Sequence, residues 1–233
     1  MTDPVARAAD IASLGLRGSL SSDEIALVKH ARAGDPDARV RAAALAALVR
    51  SSSREIARAE WLEALSDESA AVRRRAAELA PSLTPADEFV VEQHVPVLGD
   101  GDVTVVEAAA WALGEVGEVA AAHGAVDDLV VTLRTHRDPI AREAAVAALG
   151  ALGDSAALPA ILAACADRAA VRRRAVLALA PFEGTDVDAA ITTALTDNDW
   201  QVRQAAEDLQ RTGQADESSP GATAPRDSPP GDS

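Results

Sequence analysis

One phrase returns along the chain at intervals of 30 to 36 residues. Its clearest copy, Asp138 to Gly150, reads DPIAREAAVAALG, and Asp3 to Gly15 (DPVARAADIASLG) matches it at eight of thirteen positions. Looser copies begin at Asp37, Ser69, Asp102, Arg168 and Asp199. With the Val or Ala before the usual Arg as origin, the copies fall at Ala6, Val40, Val72, Val105, Ala141, Val171 and Val202, spaced by 34, 32, 33, 36, 30 and 31 residues. A capping Asp, a Pro in the first turn and Ala-rich apolar spacing specify an amphipathic helix, and the closing Gly reads as its stop. A unit this short cannot bury its apolar face alone. The period therefore predicts a stack of repeats without a single central core.

Each copy reads as the second helix (B) of a pair, and an earlier apolar-periodic segment supplies the first (A). The A segments are Asp23–Ala33, Arg54–Leu65, Ala86–Leu98, Ala125–Thr135, Ala156–Ala166 and Val187–Thr196. The expected fold is all-α, a solenoid of about six helix pairs, with the unpaired copy at Asp3 capping the amino-terminal end. Pro96 should kink or end the third A helix early. The longest connection is expected between Gly114 and Gly124. From Gly213 the text turns to Gly, Pro, Ser and Asp, which predicts a repeat domain over 1–212 and a disordered acidic tail over 213–233.

Composition fits this picture and narrows the chemistry. The 55 Ala allow close helix packing, whereas two Phe, three Trp and no Tyr cannot build an aromatic core. The formal net charge of −15, with Lys29 the only lysine, argues against nucleic acid or an anionic membrane as partner. It reads as the acidic surface of a protein adapted to high salt. The lone Cys165, the absence of a long apolar run and an amino terminus without signal-peptide features point to a soluble cytoplasmic protein. There is no phosphate-binding Gly loop, zinc-ligand spacing or nucleophile elbow, so neither catalysis nor a cofactor or metal is expected. Cys165 aligns with core leucines of other A helices and reads as core. The Asp pairs before the B helices (Asp35/Asp37, Asp100/Asp102, Asp197/Asp199) lack the remaining oxygen ligands of a calcium loop and read as caps. In three copies (Asp37/Arg41, Asp138/Arg142, Asp199/Arg203) the capping Asp precedes an Arg by four residues, which suggests an Asp–Arg ladder.

The paired helices, with D-x-x-V-R-x-x-A-x-x-A-L-G in the second, resemble HEAT repeats over residues 3–211, most nearly the short type named for phycobilin lyases. The resemblance implies a right-handed superhelix and a family of varied functions. Deoxyhypusine hydroxylases of this class carry iron-binding His-Glu pairs, but His30, His94, His123 and His136 are followed by Ala, Val, Gly and Arg. HEAT-like DNA glycosylases carry a basic face that suits this acidic chain poorly. What remains is a protein-binding scaffold or adaptor, of the kind known to couple chemotaxis to motility. A lyase-like or chaperone-like modifier of one partner is the alternative.

A helical wheel of the B helices places the origin and the positions four, seven and eight residues on in a buried stripe. Positions two, five, six and nine residues on should face a concave surface. Most are small, but Trp111 and Glu107 fall there in the third repeat. Runs of three Arg (Arg73, Arg74, Arg75 and Arg172, Arg173, Arg174) lie about 30 Å apart if neighbouring helices pack at about 10 Å. A Trp anchor between two basic patches would suit an acidic helix or extended segment bound by a monomer. Trp61 reads as core and Trp200 as a cover for the end of the stack.

Overall fold

The computed structural model describes residues 3–83 and 85–217. They form fourteen α-helices: α1 (Pro4–Gly15), α2 (Ser22–Gly34), α3 (Ala38–Ser51), α4 (Arg54–Ala64), α5 (Ala70–Leu79), α6 (Glu88–His94), α7 (Val103–Val116), α8 (Glu118–Ala122), α9 (Ala125–Thr135), α10 (Pro139–Leu152), α11 (Leu158–Ala164), α12 (Ala169–Ala178), α13 (Thr185–Ala194) and α14 (Trp200–Glu217). No strand occurs among the described residues. The B helices α1, α3, α5, α7, α10, α12 and α14 pack each on the next as one layer. The A helices α2, α4, α6, α9, α11 and α13 form the second layer, and α8 occupies the long connection. The architecture is the expected α-solenoid of six pairs with α1 at its amino-terminal end.

Most of the B helices, though not α5 or α12, begin where an aspartate side chain holds a free backbone amide. Asp37 accepts from the Arg39 amide at 2.9 Å, Asp102 from Thr104 at 2.9 Å, Asp138 from Ile140 at 2.9 Å and Asp199 from Gln201 at 2.8 Å. Helix α6 ends at His94, and the 3-10 turn Val95–Gly99 that follows contains Pro96, as its missing amide requires. Helix α14 runs to Glu217, beyond the boundary expected at residue 213. Residues 218–233 of that tail lie outside the described residues.

The expected stripe is buried from α3 to α12, and is left partly open in the terminal helices α1 and α14. In α7 it comprises Val105, Ala109, Ala112 and Leu113, all 0% exposed. Trp61 is also core, and its indole N–H donates to the Ala76 carbonyl at 2.9 Å. The glycine that closes the phrase, however, does not stop these helices. Helices α7 and α10 run past Gly114 and Gly150 and end at Gly117 (φ 67°) and Gly153 (φ 64°). Gly114 and Gly150 are instead places where consecutive B helices touch. A Cβ on Gly150 would lie 2.6 Å from the Ala178 Cα, one on Gly15 2.7 Å from the Ala47 Cα, and one on Gly114 3.2 Å from the Ala148 Cα.

Successive repeats are also tied by ions. Arg7 reaches Asp35 at 2.9 Å, Arg41 reaches Asp67 at 2.8 Å, Arg73 reaches Asp100 at 2.6 Å, Arg142 reaches Asp167 at 2.8 Å and Arg172 reaches Asp197 at 2.7 Å. The same guanidiniums of Arg41, Arg73, Arg142 and Arg172 donate back to a carbonyl of their own turn. The ladder is thus real, but the acid in it is not the capping Asp. It is the Asp two residues earlier, or one in the case of Asp167, in the following repeat. The arginines hold Asp35, Asp100, Asp167 and Asp197 below the usual carboxylate range. Burial pushes Asp67 upward, yet Arg41 and the Ser69 amide outweigh it and its net shift is also down. One rung lacks both the Arg and the Asp. Val106, fully buried, stands where the Arg would be, and His136 stands where the next Asp would be. The His136 ring nitrogen accepts from the Asp138 amide at 3.1 Å, so it keeps the turn while carrying no carboxylate to meet an arginine. On the A layer Arg32, 6% exposed, is held by Glu60 at 2.6 Å and also by Glu63.

Candidate functional site: the groove across the B helices

The B layer presents a groove of about 750 Å³ bounded by α5, α7, α10 and α12. Its geometry follows from the wheel of each helix, with one correction. The fifth position after the origin is buried, at Leu45, Ala77, Ala110, Val146 and Val176, because it lies in the seam between adjacent B helices. The second and sixth positions remain open from α5 to α12, whereas in α3 the sixth, Ala46, and the ninth, Val49, are buried as well. The floor is made of small residues, Ala108, Gly114, Ala144, Ala147, Ala148 and Ala151, so the backbone of the layer lies close to the surface. Ile140, 45% exposed, forms part of one wall. Trp111 stands 49% exposed among these small neighbours.

Charged side chains frame this floor. At one end Arg74 and Arg75 share Glu78, at 3.0 and 2.9 Å. At the other, Arg173 and Arg174 of α12 share Glu143 of α10, at 3.4 and 3.7 Å. Between the two ends lie Glu107 and Glu115, one helical turn before and after Trp111. Both line the groove, and neither has an ion-pair partner among the described residues. No cation of the described chain sits over the Trp111 ring.

The structure therefore brings Trp111, Glu107, Arg74 and Arg174 into one groove. Arg75 borders an adjoining shallower cleft with Arg74 and Glu78, and Arg173 meets Glu143 at the rim. Arg73 and Arg172 point elsewhere, into the ladder. The two runs of arginine are consequently not open basic patches. Each gives one member to the ladder and shares a glutamate between the other two. Glu115 and Glu143 were not singled out in the sequence. Glu115 was legible, being four residues from Trp111, but Glu143 meets α12 only through tertiary packing. Trp200 is 63% exposed at the start of α14.

Reactive chemistry is sparse. No group of three or more His, Cys, Asp or Glu side chains could hold a metal ion among the described residues. Cys165 is half-buried, its thiol contacts the Ile161 carbonyl at 3.6 Å, and burial pushes its pKa up to about 11, so it stays a thiol at neutral pH. No described helix is long and apolar enough to cross a membrane.

Stacked helix pairs with a continuous B-layer groove define the class, an α-solenoid repeat protein. Residues 126–210, from α9 to α14, match the family model for HEAT repeats, and the earlier helix pairs repeat the same architecture. Among solved structures it resembles the YibA protein of Escherichia coli, at 16% identity over 93% of this chain and 80% of that one, with a TM-score of 0.59. It also resembles a designed armadillo repeat protein in complex with the peptide (KR)4, at 18% identity over 82% and 99% of the two chains, with a TM-score of 0.55. An engineered protein is similar at 18% identity over 88% and 97%, with a TM-score of 0.52. At these identities the likeness is one of fold. No curated protein sequence matches the chain.

Proposed function

We propose that this α-solenoid repeat protein is a non-catalytic scaffold or adaptor that binds an extended segment of a partner protein along the B-helix groove. It would act as a monomer in the cytoplasm, in an assembly such as a signalling complex. The observation that carries the reading is Trp111, a large aromatic side chain half exposed over a floor of Ala and Gly. A solvated indole in the middle of a groove is the arrangement from which interface anchors are made, because covering it removes a large apolar area from water. The small floor lets a partner backbone approach closely. Repeat folds of this general shape can seat a peptide, as the designed armadillo protein does. A purely acidic segment, the partner that the Arg runs suggested, is disfavoured by charge. The groove is lined by Glu78, Glu107, Glu115 and Glu143 against Arg74 and Arg174.

The test is selection of a random peptide library displayed on phage against the wild-type chain, with each enriched peptide then measured against Trp111→Ala. Loss of binding of at least tenfold in the variant is expected, with unchanged helicity by circular dichroism. Peptides that bind both proteins equally would move the site away from the groove.

A further inference from the structure

The peptide-binding reading, on which this inference rests, leaves open what the groove selects. We infer that it selects a segment of mixed charge, with one arginine seated on the Trp111 ring between Glu107 and Glu115 and an acidic residue toward each rim. Glu107, Trp111 and Glu115 are spaced by four residues on one helix face, so each carboxylate lies about 6 Å along the helix from the ring. A guanidinium laid over the indole can donate to both carboxylates from its planar fork, which a lysine ammonium cannot match in geometry. The molecule already builds this arrangement internally. The Arg58 guanidinium lies 4.4 Å from the centre of the Phe89 ring while donating to Asp87 at 2.7 Å. At Trp111 the ring and the carboxylates are present and the guanidinium is not.

The rims have the opposite need. Arg74 and Arg75 share a single ion-pair carboxylate, as do Arg173 and Arg174, so two guanidiniums at each end can take a further carboxylate, although Asp102 also borders the cleft beside Arg74. The spacing of the acids follows from the layer. Helix α5 is one step from α7, about 10 Å, which an extended chain crosses in about three residues. The other rim, at α10 and α12, is two steps away through the tight contacts at Gly114 and Gly150, about 16 Å or about five residues. The preferred segment is an arginine with an acidic residue about three positions to one side and about five to the other.

Fluorescein-labelled peptides built on this pattern in a Gly/Ser background, in both chain directions, test it by fluorescence anisotropy in about 0.1 M salt, where screening is moderate. Comparison peptides replace the arginine with norleucine, replace both acids with glutamine, or consist of (KR)4. The patterned peptide in one direction should bind about tenfold more tightly than each of these. The Glu107→Gln/Glu115→Gln double variant, altered only at solvent-facing positions, should lose that preference for arginine over norleucine while keeping its affinity for the norleucine peptide. Equal binding of the arginine and norleucine peptides, or equally tight binding of (KR)4, overturns the inference. If library peptides depend on Trp111 but lack the pattern, the groove reading stands and only the selectivity falls. If no peptide of either kind binds, both fall.

Discussion

His94 gives a prediction that separates one buried ring from the rest of the molecule. It ends α6, is 1% exposed, and stacks on Trp61 with ring centroids 6.2 Å apart and planes 18° apart. Neither ring nitrogen makes a well-formed hydrogen bond among the described residues, and the Ala109 backbone offers only a weak one. Burial lowers its pKa from 6.5 to about 4, opposed only in part by the Ala109 backbone. The folded chain thus keeps the ring neutral at pH values where the unfolded chain protonates it. Stability is therefore lost as pH falls below about 6.5 and levels off near 4. At about 1.36 kcal/mol per pKa unit the full loss is about 3 kcal/mol, with about 2 kcal/mol of it reached by pH 5. The ladder carboxylates, held below their usual range, withdraw their contribution only in more acid solution, so they do not obscure this interval. Urea unfolding followed by circular dichroism at pH 7 and pH 5 measures the difference, with the unfolding slope checked for constancy. His94→Phe keeps a flat ring against Trp61 and removes the titration, so its stability should be nearly equal at the two pH values. If wild type shows no loss, or if His94→Phe loses as much as wild type, the neutral buried state is wrong.

Three further outcomes are expected. Arg142→Ala should cost about 2 kcal/mol in urea unfolding, because it strips two charge-assisted hydrogen bonds from Asp167; a loss under about 0.5 kcal/mol would show the rung to be ornamental. At the rung without an Arg–Asp pair, Val106→Arg alone should destabilise by about 3 kcal/mol, since it places an unpaired charge at a fully buried position. His136→Asp added to it should recover at least about 1 kcal/mol, and strictly additive effects in the double-mutant cycle would count against the pairing. Gly150→Ala should lower stability by about 1–3 kcal/mol despite alanine's better helix propensity, because the new Cβ meets the Ala178 backbone at 2.6 Å; a raised melting temperature would refute the close contact.

The architecture was legible because every repeat solves the same burial problem with the same spacing, and each copy reinforces the reading of the others. What failed to transfer was whatever depends on a neighbour. Gly150 carries the composition of a helix stop, but the helix continues because that residue answers to Ala178 of the next repeat. The buried fifth position looks open on a single wheel, yet a B helix in a stack has another B helix on either side, and Ala110 and Val146 fill those seams. Arg73, Arg74 and Arg75 are adjacent in the chain but turn by about 100° per residue, so one enters the ladder while the others face the groove and its edge. Their partners, Asp100 and Glu78, determine how much positive charge is left over. Trp111 was legible because its position relative to the origin needs no knowledge of other helices.

The contacts made through Gly114 and Gly150 have a consequence for any occupant. Between α7, α10 and α12 the glycines admit the neighbouring Ala, while between α3 and α5 the corresponding positions hold Val49 and Leu79, both too large for such an approach. The B layer is therefore a ruler with unequal divisions, fine between α1 and α3 and again beyond α7, and coarse between α3 and α5. A ligand with a uniform repeat of its own would match one part of that scale and drift out of step along the other. Trp111 stands on α7, where the fine divisions resume, so in the proposed binding mode it would be the zero mark from which an irregular sequence is read in both directions.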